Sequence, residues 1–289
     1  MIIILLPTLK MNYNIIKNII SQKLIKNNKI DIILIQGASC AGKSVFCNYL
    51  YKHLKQVKRI IKISTDNYYR SPGFDYKDPK VKLYNFDNPC AIDWDSLSRT
   101  LEGYANREPQ IIGSTYDFFT KIRKDIIIPN IYPDIILIDG IYAFNLFNEN
   151  MFNITRLDPY KDIESHDTNV YTDNDHNFLT KFNVLKIQLK ISKEYAKKIR
   201  IERDIKKRFK NCSPEFIDML EYKFEKTIWP ATEKWIYSPY NISDINIPLG
   251  TMNLELCYLV WNTLFEFYEF NKTKQDFLTI IHELEQECD

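Results

Sequence analysis

Glycine is scarce, with seven in 289 residues. That excludes collagen-like and glycine-rich repetitive chains and makes each glycine informative. Excess charge of either sign is also missing, since 39 Lys+Arg face 37 Asp+Glu for a formal +2. No global field therefore favours nucleic acid or a membrane surface, and any polyanion site must be local. Long apolar runs are absent too. The opening Ile2 to Leu6 stops at Pro7, whereas a membrane span needs about 20 apolar residues and a signal-peptide core about 7–15. The six cysteines (Cys40, Cys47, Cys90, Cys212, Cys257, Cys288) form no CxxC pair and no short regular spacing. A reducing, intracellular and cytosolic setting is expected. The four histidines (His53, His166, His176, His282) form neither HExxH nor a Cys/His zinc pattern, although His166 and His176 share an acidic stretch. What is present is the balance of a globular protein, 45% apolar and 26% charged, long enough for one large domain or two modest ones.

Hydrophobic periodicity supplies the fold class. Residues 31–36, 59–64, 134–139, 184–191 and 245–248 are short continuous apolar runs, the pattern of strands buried on both faces of a parallel sheet. Helical segments separate several of them, as parallel crossovers require. The expectation is an α/β fold with a mostly parallel five-stranded sheet flanked by helices. Residues 12–27 add an amphipathic helix, with Ile15, Ile16, Ile19, Ile20, Leu24 and Ile25 at helical spacing. Residues 66–133 are rich in Tyr, Phe and Pro and read as a substrate-facing subregion. Residues 145–182 lose the period, gather Asn, Asp and His, and read as an irregular insertion.

The first apolar run enters Gly37-Ala38-Ser39-Cys40-Ala41-Gly42-Lys43-Ser44, which satisfies G-x-x-x-x-G-K-[ST] between a predicted strand and a helix over Val45 to Leu54. The glycines let backbone N–H groups curl inward onto phosphate oxygens, and the helix N-terminus adds positive potential. Lys43 then reaches the β- and γ-phosphates, and the Ser44 hydroxyl serves Mg²⁺. The nucleoside triphosphate and Mg²⁺ are thus the expected ligands.

Carboxylates decide where the phosphoryl group goes. Asp66 and Asp139 close the second and third strands, and in a doubly wound sheet those ends face the phosphate loop. Asp139 is placed to hold Mg²⁺, directly or through water. Asp66 suits a general base that orients an acceptor hydroxyl, near the metal as well. Each has a plainer reading, Asp139 as a turn residue before Gly140 and Asp66 as a loop cap.

With these motifs stand Asp66-Asn67-Tyr68-Tyr69, the run Asn85 to Asp93 (NFDNPCAID), Tyr116 to Arg123 (YDFFTKIR) and Asp139 to Phe144 (DGIYAF). Their order resembles the uridine kinase (uridine-cytidine kinase) family of P-loop kinases, related to phosphoribulokinase and pantothenate kinase. The resemblance covers residues 31–255 apart from 145–182. It implies ATP-dependent phosphorylation of the 5′-hydroxyl of a pyrimidine ribonucleoside, with Lys43 and Asp66 catalytic and Mg²⁺ near Ser44, Asp66 and Asp139. ATP would meet Gly37, Ala38, Ser39, Cys40, Ala41, Gly42, Lys43, Ser44 and Val45. Asp87 would grip the ribose hydroxyls, and Tyr116, Phe118 and Lys121 would lie at the base.

The basic stretch Lys193 to Lys210 resembles the family's mobile lid, set at 193–212, with Arg203 and Arg208 on ATP and Arg200 on the substrate. Its acids Glu194, Glu202 and Asp204 argue against a nucleic-acid patch. Residues 1–30 and 256–289 are expected as helical flanks outside the kinase domain. The resemblance also implies a homo-oligomer. Three departures stand out: Lys121 replaces a His, Met252 replaces an Asp after the last strand, and Asp139 replaces a Glu. The alternatives are a kinase of another small hydroxyl compound, such as nicotinamide riboside or pantothenate, and a nucleotide-binding protein without turnover. Asn271-Lys272 continues as Thr273-Lys274, without the Asp of a guanine-reading loop, which argues against a GTPase.

Overall fold

The computed structural model describes residues 5–25, 27–71, 84–166, 170–208 and 214–268, with side chains except at 5–12, 207–208 and 214–215. Helix α1 (Leu5–Lys23) precedes β1 (Asp31–Gly37), α2 (Lys43–Leu54) and β2 (Ile60–Ser64). Helix α3 (Trp94–Ala105) and the antiparallel pair β3 (Gln110–Asp117) and β4 (Ile122–Pro129) lead into β5 (Ile135–Gly140). Next come β6 (Asn150–Phe152), β7 (Tyr171–Asp173), the short α4 (Phe178–Lys181) and β8 (Asn183–Lys190). Helices α5 (Lys193–Arg203), α6 (Pro214–Lys223) and α7 (Trp229–Ala231), strand β9 (Ile245–Pro248) and α8 (Leu254–Phe267) complete the chain.

The central sheet has five strands in the order β2-β5-β1-β8-β9, all parallel. The five expected strands are the ones that form it. Successive side chains leave a strand on opposite faces, and both faces are covered here. Ile32, Leu34, Ile136 and Ile138 enter one core with Trp94, Leu97 and Leu101 of α3. Ile33, Ile35, Leu137 and Ile187 enter the other with α1, α2 and α8. Two covered faces explain the nearly continuous apolar runs of the central strands β1 and β5, whereas the edge strands β2 and β9 keep exposed polar residues such as Lys62 and Asn246. Each fully buried Ile or Leu contributes about 1.5–3 kcal/mol.

Helix α1 begins earlier than periodicity suggested. Its Ile16 and Ile20, with Leu24 just beyond, are buried beside α8. Residues 269–289, most of the expected C-terminal flank, lie outside the described residues.

The stretch 145–182 is largely irregular in backbone, apart from β6, β7 and α4, yet contributes to the core. Leu146, Phe147, Phe152, Val170, Phe178 and Phe182 are buried. Its asparagines replace regular ladders: Asn145 accepts from the Phe152 amide at 2.8 Å, and Asn174 Nδ2 donates to the Leu146 and Asn148 carbonyls. Polar composition here records side chains that satisfy backbone groups, which hides the core contribution from a periodicity reading.

Candidate active site

Strand β1 sits between β5 and β8, and the chain leaves its C-terminal end through the phosphate loop. Cys40 and Gly42 both adopt left-handed backbone, with φ of 68° and 82°. Gly42 caps α2, and a Cβ there would fall 1.9 Å from Thr251 Oγ1. Only glycine fits that combination of positive φ and close approach. Lys43 Nζ donates to the Ala38 carbonyl at 2.8 Å, so the lysine folds back across the loop. Burial lowers the Lys43 pKa, while Asp66 and Asp139 oppose the shift.

Sheet register places the acids. Asp139 lies level with Ser64 of β2 and Ile35 of β1, so Asp66, two residues past Ser64, reaches the same edge. Ser44 Oγ donates to Asp139 Oδ2 at 2.9 Å. One hydroxyl and two carboxylates at the mouth of a phosphate loop form the hard-oxygen donor set that suits Mg²⁺. Asp66 is held by its neighbours: the Asp93 amide donates to the Tyr68 carbonyl at 2.8 Å, the Arg70 amide to Ala91 at 2.7 Å, and Tyr69 bridges Ile92. Below it, Gly140 lies directly against the fully buried Thr65.

A cavity of about 740 Å³ runs from the phosphate loop past both carboxylates to an aromatic end. Phe86, Tyr116, Phe118 and Tyr69 line that end, in edge and tilted contacts at 5.1–6.3 Å between ring centres. Tyr116 is buried, and its hydroxyl has no hydrogen-bond partner among the described residues. Burial pushes its phenol pKa up, so it stays neutral and able to donate or accept. Lys121 Nζ lies 5.2 Å from the Phe86 ring centre. The hairpin carrying these groups is pinned by Asp93, which caps α3, pairs with Arg123 and lies 3.6 Å from Arg70. Burial works against the Asp93 charge, but Arg123 and the Ser96 amide outweigh it and hold the carboxyl below its usual range.

Helix α5 forms the facing wall. Arg200 Nη1 lies 3.7 Å from Asp87 Oδ1, so the two expected substrate groups already meet. Burial disfavours the Arg200 charge, yet Asp87 and Asp204 raise its pKa above the ordinary value.

Among the residues singled out from sequence, Ser39 to Val45, Asp66, Asp87, Tyr116, Phe118, Lys121, Asp139, Arg200 and Arg203 share this one cavity. Gly37 and Ala38 do not line it. Gly37 packs against the Leu189 carbonyl of β8, and Ala38 is buried, offering its carbonyl to Lys43. The side chain of Arg208 and residues 209–212 of the expected lid lie outside the described residues, as do 72–83 of the substrate-facing stretch. Sequence reasoning missed Phe86, Tyr195, Lys198, Leu249 and Thr251 on the wall. Phe86 adjoins Asp87, Tyr195 and Lys198 share the lid helix with Arg200, and Leu249 and Thr251 adjoin Met252. Met252, noted in place of an acid, does line the cavity.

The phosphoribulokinase/uridine kinase family model matches residues 32–165. A uridine kinase from Lactobacillus helveticus is 28% identical over 228 residues, which is 79% of this chain and 90% of that protein. One from Ureaplasma urealyticum serovar 10 is 34% identical over 112 residues, and the match spans 53% of its length and 39% of this chain. A solved structure of a candidate fructose transport system kinase from Silicibacter sp. TM1040 covers 80% of this chain and 97% of its own, with a TM-score of 0.54 at 14% identity. That likeness concerns the fold alone. With a phosphate loop, two strand-end acids and a relative matched across most of the sequence, the chain is similar to the phosphoribulokinase/uridine kinase family.

Proposed function

We propose that the chain transfers the γ-phosphoryl group of ATP to the 5′-hydroxyl of a pyrimidine ribonucleoside, uridine or cytidine, to give the monophosphate. The observation that carries this reading is the single cavity in which a phosphate loop, the Asp66 carboxylate and an aromatic pocket with Asp87 lie in sequence. The triphosphate rests on the loop amides and Lys43. The ribose presents its vicinal hydroxyls to Asp87, whose two oxygens can accept from both. The pyrimidine lies among Tyr69, Phe86, Tyr116 and Phe118, where the unpartnered Tyr116 hydroxyl gains a partner.

Asp66 orients the 5′-hydroxyl and accepts its proton as the new O–P bond forms. The bond to the β-phosphate oxygen breaks, and ADP leaves. Arg200 and Arg203 face the charge spread over the transferred group. Ser44 and Asp139, with Asp66 nearby, would hold Mg²⁺, which supplies charge neutralisation at the phosphates. Among the described residues no helix is long and apolar enough to cross a membrane, and we place the reaction in cytoplasmic pyrimidine salvage.

The test is mass spectrometry of products formed from Mg-ATP with uridine, cytidine, nicotinamide riboside or pantothenate. Uridine or cytidine monophosphate is the expected product, and Asp66→Asn is expected to lower its formation by roughly 10²–10⁴-fold. Phosphorylation of pantothenate but neither pyrimidine nucleoside would reject the proposal.

A further inference from the structure

Asp204 stands out because it is a buried carboxylate that belongs to the lid helix yet does not line the cavity. It is 5% exposed. Its Oδ1 accepts from Arg203 Nε at 3.0 Å and from Arg203 Nη2 at 2.8 Å. Its Oδ2 lies 3.6 Å from Arg200 Nε, one helical turn back. Arg200 in turn spans to Asp87 at 3.7 Å. At Asp204 the regular helix α5 gives way to a wider π turn over Asp204–Arg208, a feature that often re-aims side chains at functional sites.

The charge balance explains why an acid is needed there. Lys43, Lys121, Lys198, Arg200, Arg203 and Lys206 all reach the cavity, and Arg203 already works against the Lys43 charge. Asp66, Asp87, Asp139 and Glu202 line the same cavity and offset part of that charge, with Asp87 facing Arg200, and Asp204 is the acid in contact with Arg203. A carboxylate that holds one edge of the Arg203 fork leaves its remaining N–H groups aimed at the cavity. Its second oxygen does the same more weakly for Arg200.

We infer that Asp204 is a positioning residue: it acts through Arg203 and Arg200, fixing both guanidinium groups toward the transferred phosphoryl group before the nucleotide arrives. The inference rests on the kinase reading for its turnover test, but its nucleotide-binding test does not. Charge-stabilising donors that are oriented in advance are worth on the order of 10²–10³-fold each in turnover. Partial loss of orientation in two of them is expected to lower kcat by roughly 10–100-fold.

The experiment is a double-mutant cycle on the full chain: wild type, Asp204→Asn, Arg203→Ala and the double variant, each assayed for kcat with uridine and Mg-ATP and for Mg-ATP Kd by calorimetry. The asparagine is nearly isosteric, so charge is the main change. Asp204→Asn is expected to cost roughly 10–100-fold in kcat when Arg203 is present and less than about fivefold when it is absent. The Mg-ATP Kd is expected to follow the same non-additive pattern. Equal cost in both backgrounds would mean that Asp204 only holds the helix together, and would overturn the inference. If Asp204→Asn fails to fold, Asp204→Glu keeps the charge one methylene further out and is put through the same cycle with the same criterion. A wild type that binds Mg-ATP but phosphorylates no pyrimidine nucleoside would reject the proposed function, leaving the Kd cycle to decide the role of Asp204.

Discussion

Replacing Gly140 by alanine tests how tightly the sheet edge sets the Asp66 carboxylate. The added Cβ would sit 1.8 Å from Thr65 Oγ1, 2.8 Å from its Cβ and 2.9 Å from its Cγ2. Rotating the Thr65 hydroxyl away relieves the first contact only. The carbon contact stays about 0.7 Å inside the usual 3.5 Å separation. Thr65 is fully buried and leads the turn Thr65–Tyr68 that carries Asp66, so relief must come from moving that turn. Overpacking of this kind costs about 1–3 kcal/mol in stability. Misplacing a reacting group by about 1 Å costs on the order of 10²-fold in rate. Urea unfolding and steady-state kinetics of Gly140→Ala therefore should show both losses together. Adding Thr65→Ala, which removes Oγ1 and Cγ2, should recover part of each. Gly103→Ala is the control: it lies within α3, its nearest contact is the end of Ile111 at 3.1 Å, and helix propensity favours alanine there by about 1 kcal/mol. A Gly140→Ala protein within about 0.5 kcal/mol of wild type and with unchanged kcat would refute the reasoning.

Lys43→Met should lower kcat by roughly 10²–10³-fold while thermal unfolding shows no loss of stability, because the ammonium is held in a desolvated position; a drop in melting temperature would contradict this. Lys186 is pushed down to about 8 from 10.5, mainly by burial and against the pull of Asp244. Between those values the unfolded chain keeps a proton that the folded chain has shed, so this group makes stability rise with pH across that window. Subtracting the pH profile of Lys186→Met from that of wild type should leave that rise, and a flat difference would refute it. Cys40 lines the cavity, whereas Cys47 and Cys257 are buried in the core. Peptide mapping after brief alkylation should show Cys40 modified before Cys47 and Cys257 and protected by Mg-ATP; labelling unaffected by nucleotide would place the triphosphate elsewhere. Arg123→Met should raise the KM for nucleoside more than it lowers kcat, since it frees the hairpin that carries Tyr116 and Phe118 from Asp93; an unchanged KM would separate that ion pair from acceptor binding.

The amino-acid sequence by itself determined the sheet and the phosphate loop, because both depend on local chemistry. Short apolar runs separated by helical segments fit the strands of a covered parallel sheet, and a loop that must curl around phosphate needs glycine at positions such as Gly42. Asp66 and Asp139 were also readable, since a strand-end acid in a parallel sheet has only one edge to face. Tertiary structure decided the rest. The hairpin of β3 and β4, helix α3 and the core role of residues 145–182 rest on contacts distant in sequence, and asparagines that bond the backbone hide the periodicity. Leu249 and Thr251 reach the cavity because β9 ends beside the phosphate loop. The wider turn at Asp204, which brings one buried carboxylate against two arginines, has no periodic signal at all. Spacing along the chain fixes which groups can share an edge, but only packing decides which charge stands behind which.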